Sequence, residues 1–245
     1  PLVQYQTNLI TVKGLHGSFN KNTRTNLSIS DWFNNTYQNN YDSYFNQNFG
    51  FRAPFVRLHN QLDYSLFGKV HANSVIVGKE EYLYEKNYIK SYLGEDFIGK
   101  SLINQKVNTI DSIRRVLKEH QTELLVILAP GKGYFYPEYI PDSLNKPVGE
   151  TNYNIYREAL SKSEISYIDF NELFLKMKDT TSIVIYPKTG IHWSQGILPY
   201  VMDSIIKKIE ANMGMNLKNV KWEYTKPIKK ADKQDADIEK GLNLI

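Results

Sequence analysis

The chain of 245 residues contains no cysteine, which excludes disulfides, thiolate metal sites and a cysteine nucleophile. No run of about 18 or more apolar residues is present, so no segment reads as a membrane-spanning helix. The Gly-x-x-x-x-Gly-Lys-Ser/Thr spacing of a phosphate loop is absent, and there is no internal repeat. The five histidines His16, His59, His71, His120 and His192 lack the close His or Glu-rich spacing of metal-ligand motifs, so neither a metal nor another cofactor is expected. Net charge is only +4, with Lys and Arg dispersed among acidic residues, and nucleic-acid binding has no basic patch to rest on. Serine is missing from 217 to 245. The chain opens Pro1-Leu2-Val3 with neither an initiator Met nor an apolar signal region, and the expectation is that a leader or anchor has been removed.

A hydrophobic content of 41% and a charged content of 23% suit one sizeable core with appendages. The 18 tyrosines are a large share. A phenol ring has a flat apolar face and a polar tip, which suits stacking on sugar rings as well as burial at a wet boundary. Residues 1–30 are polar and weakly periodic and read as an extended arm. Residues 31–225 read as the main domain. Residues 226–245, dense in Lys and Asp, read as a solvated, mobile tail.

Within the main domain, Trp32, Phe33, Tyr37, Tyr41, Tyr44 and Phe45 recur at helical spacing. A second helix runs from Ala53 to Phe67, with Phe55, Leu58, Leu62 and Leu66 on one face and Gly68 as its stop. Both stripes read as core packing. Val75 to Val77 and Tyr82 to Tyr84 form a hairpin signal across Gly78-Lys-Glu. Helices over 102–120, 153–162, 171–177 and 195–213 alternate with apolar runs at 123–129, 166–169 and 182–186. Strands alternating with helices imply an α/β fold whose parallel sheet is covered on both faces.

The segment Tyr186-Pro-Lys-Thr-Gly-Ile-His-Trp-Ser194 places a lone imidazole between a strand and a helix, at the carboxyl edge where open α/β sheets gather ligands. His192 there is either a helix-capping residue that packs Trp193 inward or a general base, since imidazole titrates near neutrality. Ser194, two residues on, cannot face it from a helix start and reads as a helix cap. Lys132, in Pro-Gly-Lys-Gly after the strand at 123–129, is either a solvated loop lysine or a site residue; Tyr136 and Glu138 follow it. His192 and Lys132 are expected to line one cleft, with Tyr136 and Trp193 near it.

Phe49-Gly-Phe-Arg52, Arg57-Leu-His-Asn-Gln61, Leu66-Phe67-Gly68, Val75-Ile-Val-Gly-Lys79 and Tyr82-Leu-Tyr84 resemble, in order, the opening of the alginate O-acetyltransferase-like proteins. Ala129-Pro-Gly-Lys132, Tyr136-Pro-Glu-Tyr-Ile-Pro141 and the His192-Trp193 pair follow in that family's order. The resemblance implies a three-layer SGNH-hydrolase-like (flavodoxin-like) parallel sheet. It also implies a bacterial periplasmic or cell-surface role in modifying a polysaccharide, with a membrane acyl-transfer partner. In the family the histidine belongs to an Asp-x-His-Trp motif that precedes a serine nucleophile. Here Gly190 stands where the aspartate belongs, and no nucleophile motif follows before Ile245.

Two functions follow. The first is an SGNH-like O-acetyltransferase or acetylesterase, with His192 as catalytic base, Lys132, Tyr136 and Trp193 on the substrate, and the serine outside this chain. The group that would orient His192 is unassigned: a backbone carbonyl, Asp169 at the end of its strand, or Tyr186. The second is a non-catalytic module that binds glycan or scaffolds an export complex.

Overall fold

The computed structural model describes residues 2–17, 22–217 and 235–245; part of the expected tail, 226–234, lies outside the described residues. The described chain divides into two compact units, residues 1–73 with 239–245, and residues 74–238. The division therefore falls after Asn73, whereas the composition change suggested a boundary at residue 30.

The first unit is helical: α1 (Leu2–Thr7), α2 (Ile29–Phe33), α3 (Thr36–Asn48) and α4 (Arg52–Phe67). Ser28 caps α2 by accepting from the Asp31 N–H, and Gly68 ends α4 at φ +61°, a left-handed position open to glycine. The aromatic stripe does not form a core. No residue of α2 or α3 is buried, and Trp32, Tyr37, Tyr41 and Tyr44 instead pack on one another along the surface, with successive ring centroids 6.1, 5.7 and 6.4 Å apart. The Asn and Gln residues between them leave α3 polar around most of its circumference, too little apolar area to bury a face. Phe55, Leu58, Leu62 and Leu66 of α4 are likewise exposed. The buried residue of α4 is Asn60, whose Nδ2 donates to the Leu242 carbonyl at 2.9 Å.

The second unit begins with a hairpin, β1 (Val75–Val77) paired antiparallel with β2 (Leu83–Glu85), then α5 (Lys86–Leu93) and α6 (Lys100–Glu119). Next come β3 (Leu125–Leu128), the short α7 (Lys132–Phe135), α8 (Asn152–Ser161), β4 (Ser166–Asp169), α9 (Phe170–Met177) and α10 (Leu198–Met213). A last helix, α11 (Asp237–Gly241), straddles the division.

β3 and β4 pair in parallel, Leu125 opposite Ser166 through Leu128 opposite Asp169. Alternating strand side chains face opposite ways. Val126, Leu128 and Tyr167 pack with Ile103 and Val107 of α6 and with Ile155 and Leu160 of α8. Ile168 joins the other cluster, built on Phe170 and Phe174 of α9, Ile197, and Val201 of α10. Helices thus cover both faces of a parallel sheet, the three-layer α/β arrangement. Each buried large side chain contributes roughly 1.5–3 kcal/mol.

The apolar run at 182–186 is not a strand, and among the described residues the parallel sheet has two strands. Its backbone turns onto its own continuation. The Ser194 N–H donates to the Ile185 carbonyl at 2.8 Å, and the Ser194 hydroxyl donates to the Val184 carbonyl. Ile185 and Tyr186 still enter the α9–α10 cluster, so the run is apolar because it is buried, and burial alone does not make a strand.

Candidate functional site

The turn from Pro187 to Gly190, which delivers His192, is held from beneath. Lys132 is 1% exposed, and its Nζ donates to the carbonyls of Pro187 (2.7 Å), Lys188 (2.9 Å) and Gly190 (2.8 Å). Three carbonyl acceptors at one nitrogen match the three N–H bonds of an ammonium. Burial pushes the Lys132 pKa down to about 7, against the opposing charge of Asp237. The rings of Tyr82 and Tyr84, each 5.5 Å from Nζ, flank the cation. The Lys188 carbonyl also accepts from the Leu83 N–H at 2.9 Å, which ties the turn to β2.

Lys132 is therefore placed under the turn rather than in an open cleft shared with His192. Gly133 permits this, because a Cβ there would come within 2.5 Å of the Tyr88 carbonyl. What reads as a Gly-rich loop is helix α7, closely packed on α5.

His192 itself is outward, its side chain 70% exposed. Its Nδ1 lies 2.7 Å from Asp237 Oδ2. The other oxygen of that carboxylate, Oδ1, accepts from the backbone N–H of Ile191 at 2.9 Å and of Ile238 at 2.9 Å. The carboxylate thus holds both the ring and the main chain one residue before it. With the Nδ1 proton donated to Asp237, the lone pair lies on Nε2, the atom a general base uses. An exposed ion pair of this kind adds at most about 1 kcal/mol of stability, so its consequence is orientation of the ring.

The sequence offered Asp169, Tyr186 or a carbonyl for this role and read the segment that holds Asp237 as a solvated tail. Asp169 is used elsewhere: it caps α9 by accepting from the Glu172 N–H at 3.1 Å, accepts from the Tyr153 hydroxyl at 2.8 Å, and pairs with Arg157 at 3.2 Å. The Tyr186 hydroxyl donates to the Pro130 carbonyl at 2.7 Å. The local signal lay at Gly190, and it named no partner. Gly190 is where a carboxylate was expected, and a Cβ at Gly190 would lie 2.7 Å from the Asp235 carbonyl oxygen and 2.8 Å from Pro187 Cγ. The missing side chain leaves room for residues 235–237 to pass, and the carboxylate arrives from that segment.

The remaining expected site residues are in aromatic packing. Trp193 meets Phe174 and Phe170 edge-on, with centroids 5.4 and 6.2 Å apart. Tyr136 packs against Phe135, Tyr82 and Tyr139, while its carbonyl accepts from the Tyr84 hydroxyl at 2.6 Å. Burial raises the Tyr84 and Tyr186 phenols, and raises Tyr82 to about 12, so these hydroxyls stay protonated donors. Ser194 does not cap a helix with its hydroxyl, which is bonded to Val184. A cavity of about 240 Å³ lies beside Leu128 and Ala129 at the carboxyl end of β3, lined by Tyr88, Tyr134, Tyr153, Tyr156 and Asn171 among others; His192 and Lys132 are not among its lining residues.

Among solved structures, the O-acetyltransferase domain of Pseudomonas putida AlgJ matches at 17% identity and a TM-score of 0.47. The match covers 59% of this chain and 50% of that one, so the chain spans about half the length of that solved domain. No curated protein matches. A family model described as SGNH hydrolase-like domain, acetyltransferase AlgX, matches residues 75–236, more than half of the chain and nearly the whole of the second unit, ending one residue before Asp237. The chain belongs to this family of SGNH hydrolase-like acetyltransferase domains.

Proposed function

We propose that the chain supplies the base and its orienting carboxylate for O-acetyl transfer to a polysaccharide hydroxyl outside the cytoplasm, with His192 and Asp237 in those roles. The observation that carries this reading is the Nδ1–Asp237 contact of 2.7 Å on an outward-facing ring. Membership of the acetyltransferase family supports the reaction class. Among the described residues no helix is long and apolar enough to cross a membrane.

In this reading Nε2 of His192 takes the proton of an attacking hydroxyl as its oxygen bonds to the acetyl carbonyl carbon. The same nitrogen returns the proton to the departing alkoxide when the carbonyl reforms. Asp237 keeps the ring in one tautomer and stabilises the imidazolium while the proton is held. Ser194 is not assigned as the nucleophile, because its hydroxyl donates to the Val184 carbonyl. Lys132 acts on the backbone of the turn and positions His192 without touching substrate.

The test is acetyl transfer by the protein from an activated acetyl ester to polysaccharide. His192→Gln and Asp237→Asn are each expected to lower kcat by roughly 10²–10⁴-fold with intact folding. Undiminished turnover in either variant contradicts the reading. Polysaccharide binding without transfer by the unaltered protein selects the non-catalytic module.

A further inference from the structure

The first unit contains a second cluster of titratable groups, which the proposed acetyl transfer does not use. His59 and Asp63 stand four residues apart on α4, one helical turn, and so share a face. His71 lies beyond the helix end. The chain returns it to that face through the turn at Gly68, whose N–H donates to the Tyr64 carbonyl at 2.9 Å while the Lys69 N–H donates to the Asp63 carbonyl at 3.2 Å. The outcome is a convergence on one oxygen: Asp63 Oδ2 lies 2.5 Å from His71 Nε2 and 3.7 Å from His59 Nε2. The three ligand atoms lie within 4.8 Å of one another, and the two rings are 4.9 Å apart.

We infer that His59, Asp63 and His71 form a binding site for a borderline divalent cation, of which Zn²⁺ is the best fit. Two imidazoles and one carboxylate are the donor types that such ions take. The spacing agrees with this. Zinc–nitrogen and zinc–oxygen distances of about 2.0–2.2 Å set tetrahedral ligands about 3.3 Å apart; the His59–Asp63 separation is already near that value, and His71 needs to withdraw from Asp63 by less than about 1 Å. The His59 side chain is 65% exposed, so an ion can enter from solvent and keep water in its fourth position. A cation there would fasten the segment after Gly68 to α4. Sequence spacing gave no sign of it, because the third ligand arrives by a chain reversal.

The experiment is calorimetric titration of the chelator-treated full chain with ZnCl₂ near pH 7.5. His59→Gln, His71→Gln and His192→Gln are titrated alongside, with circular dichroism confirming that each is folded. One ion per chain is expected for the wild type and for His192→Gln, with affinity at least about 10-fold weaker in both His59→Gln and His71→Gln. Imidazole nitrogen resonances of His59 and His71 should shift together on saturation. If His71→Gln fails to fold, His59→Gln and those resonances decide. Absence of saturable binding by the wild type, a smaller loss in the His59 or His71 variants, or loss in His192→Gln overturns the site.

Discussion

His192 and His71 each meet an aspartate, but through different ring nitrogens and by different routes along the chain. Asp237 binds the backbone N–H of Ile191 as well as the ring. A carboxylate anchored to the main chain so close to the imidazole reaches Nδ1, the nitrogen nearer the backbone, on a side chain that is 70% exposed. Asp63 instead meets His71 at Nε2, with a second Nε2 from His59 aimed at the same oxygen. The first arrangement engages Nδ1 and leaves Nε2 out of the pair, as a base requires; the second brings two ring tips to a common oxygen, as an ion requires. In the two proposed readings the same two residue types serve different chemistry, and what decides is where the backbone brings the carboxylate.

The largest way to break the first pair without touching it is Lys132→Met. The substitution is close in size but removes the donor that three carbonyls share; those of Pro187 and Lys188 keep backbone donors, Gly190 and Leu83, while the Gly190 carbonyl loses its buried partner, at a cost of about 1–3 kcal/mol. Denaturant unfolding should show that loss, together with freer motion of the His192 ring. A loss under about 1 kcal/mol would mean that water replaces the ammonium easily.

Gly190→Ala is a finer cut. Its Cβ would meet the Asp235 carbonyl at 2.7 Å, an overpacking that costs about 1–3 kcal/mol. Relief by displacement of residues 235–237 should separate Asp237 from His192 while the His59, Asp63 and His71 signals stay unchanged. A crystal structure of the variant with the 2.7 Å contact intact would count against the substitution of roles between position 190 and Asp237.

Asp169→Ala has the smallest expected effect. Loss of the α9 cap and of the Tyr153 contact should lower stability by about 1–2 kcal/mol and leave His192 unaffected. Altered His192 titration in that variant would return Asp169 to the orienting role.

The helices were legible because their apolar stripes were local: residues 102–120 were expected and α6 spans Lys100–Glu119. The strand at 166–169 and the stop at Gly68 were equally clear. The run at 182–186 misled because burial and strand pairing leave the same apolar signature, and its partner proved to be Ser194. In the first unit the aromatic stripe had helical period, but polar neighbours denied it a second surface to bury against. His192 was singled out as a candidate from its turn. Asp237 was not, since it lies 45 residues away in a charged segment whose composition suggested only solvent. The Asp63 cluster was missed for a related reason: ligand spacing read along a sequence assumes a continuous helix, and His71 follows a reversal.

The central claim is that Asp237 fixes the tautomer of His192, and nitrogen-15 NMR of the histidine rings tests it most directly. At a pH where the ring is neutral, the account predicts a proton on Nδ1 and a bare Nε2 for His192, a bias that disappears in Asp237→Asn. A neutral His192 protonated on Nε2, the form ordinarily favoured in water, or a spectrum indifferent to Asp237→Asn, would contradict it.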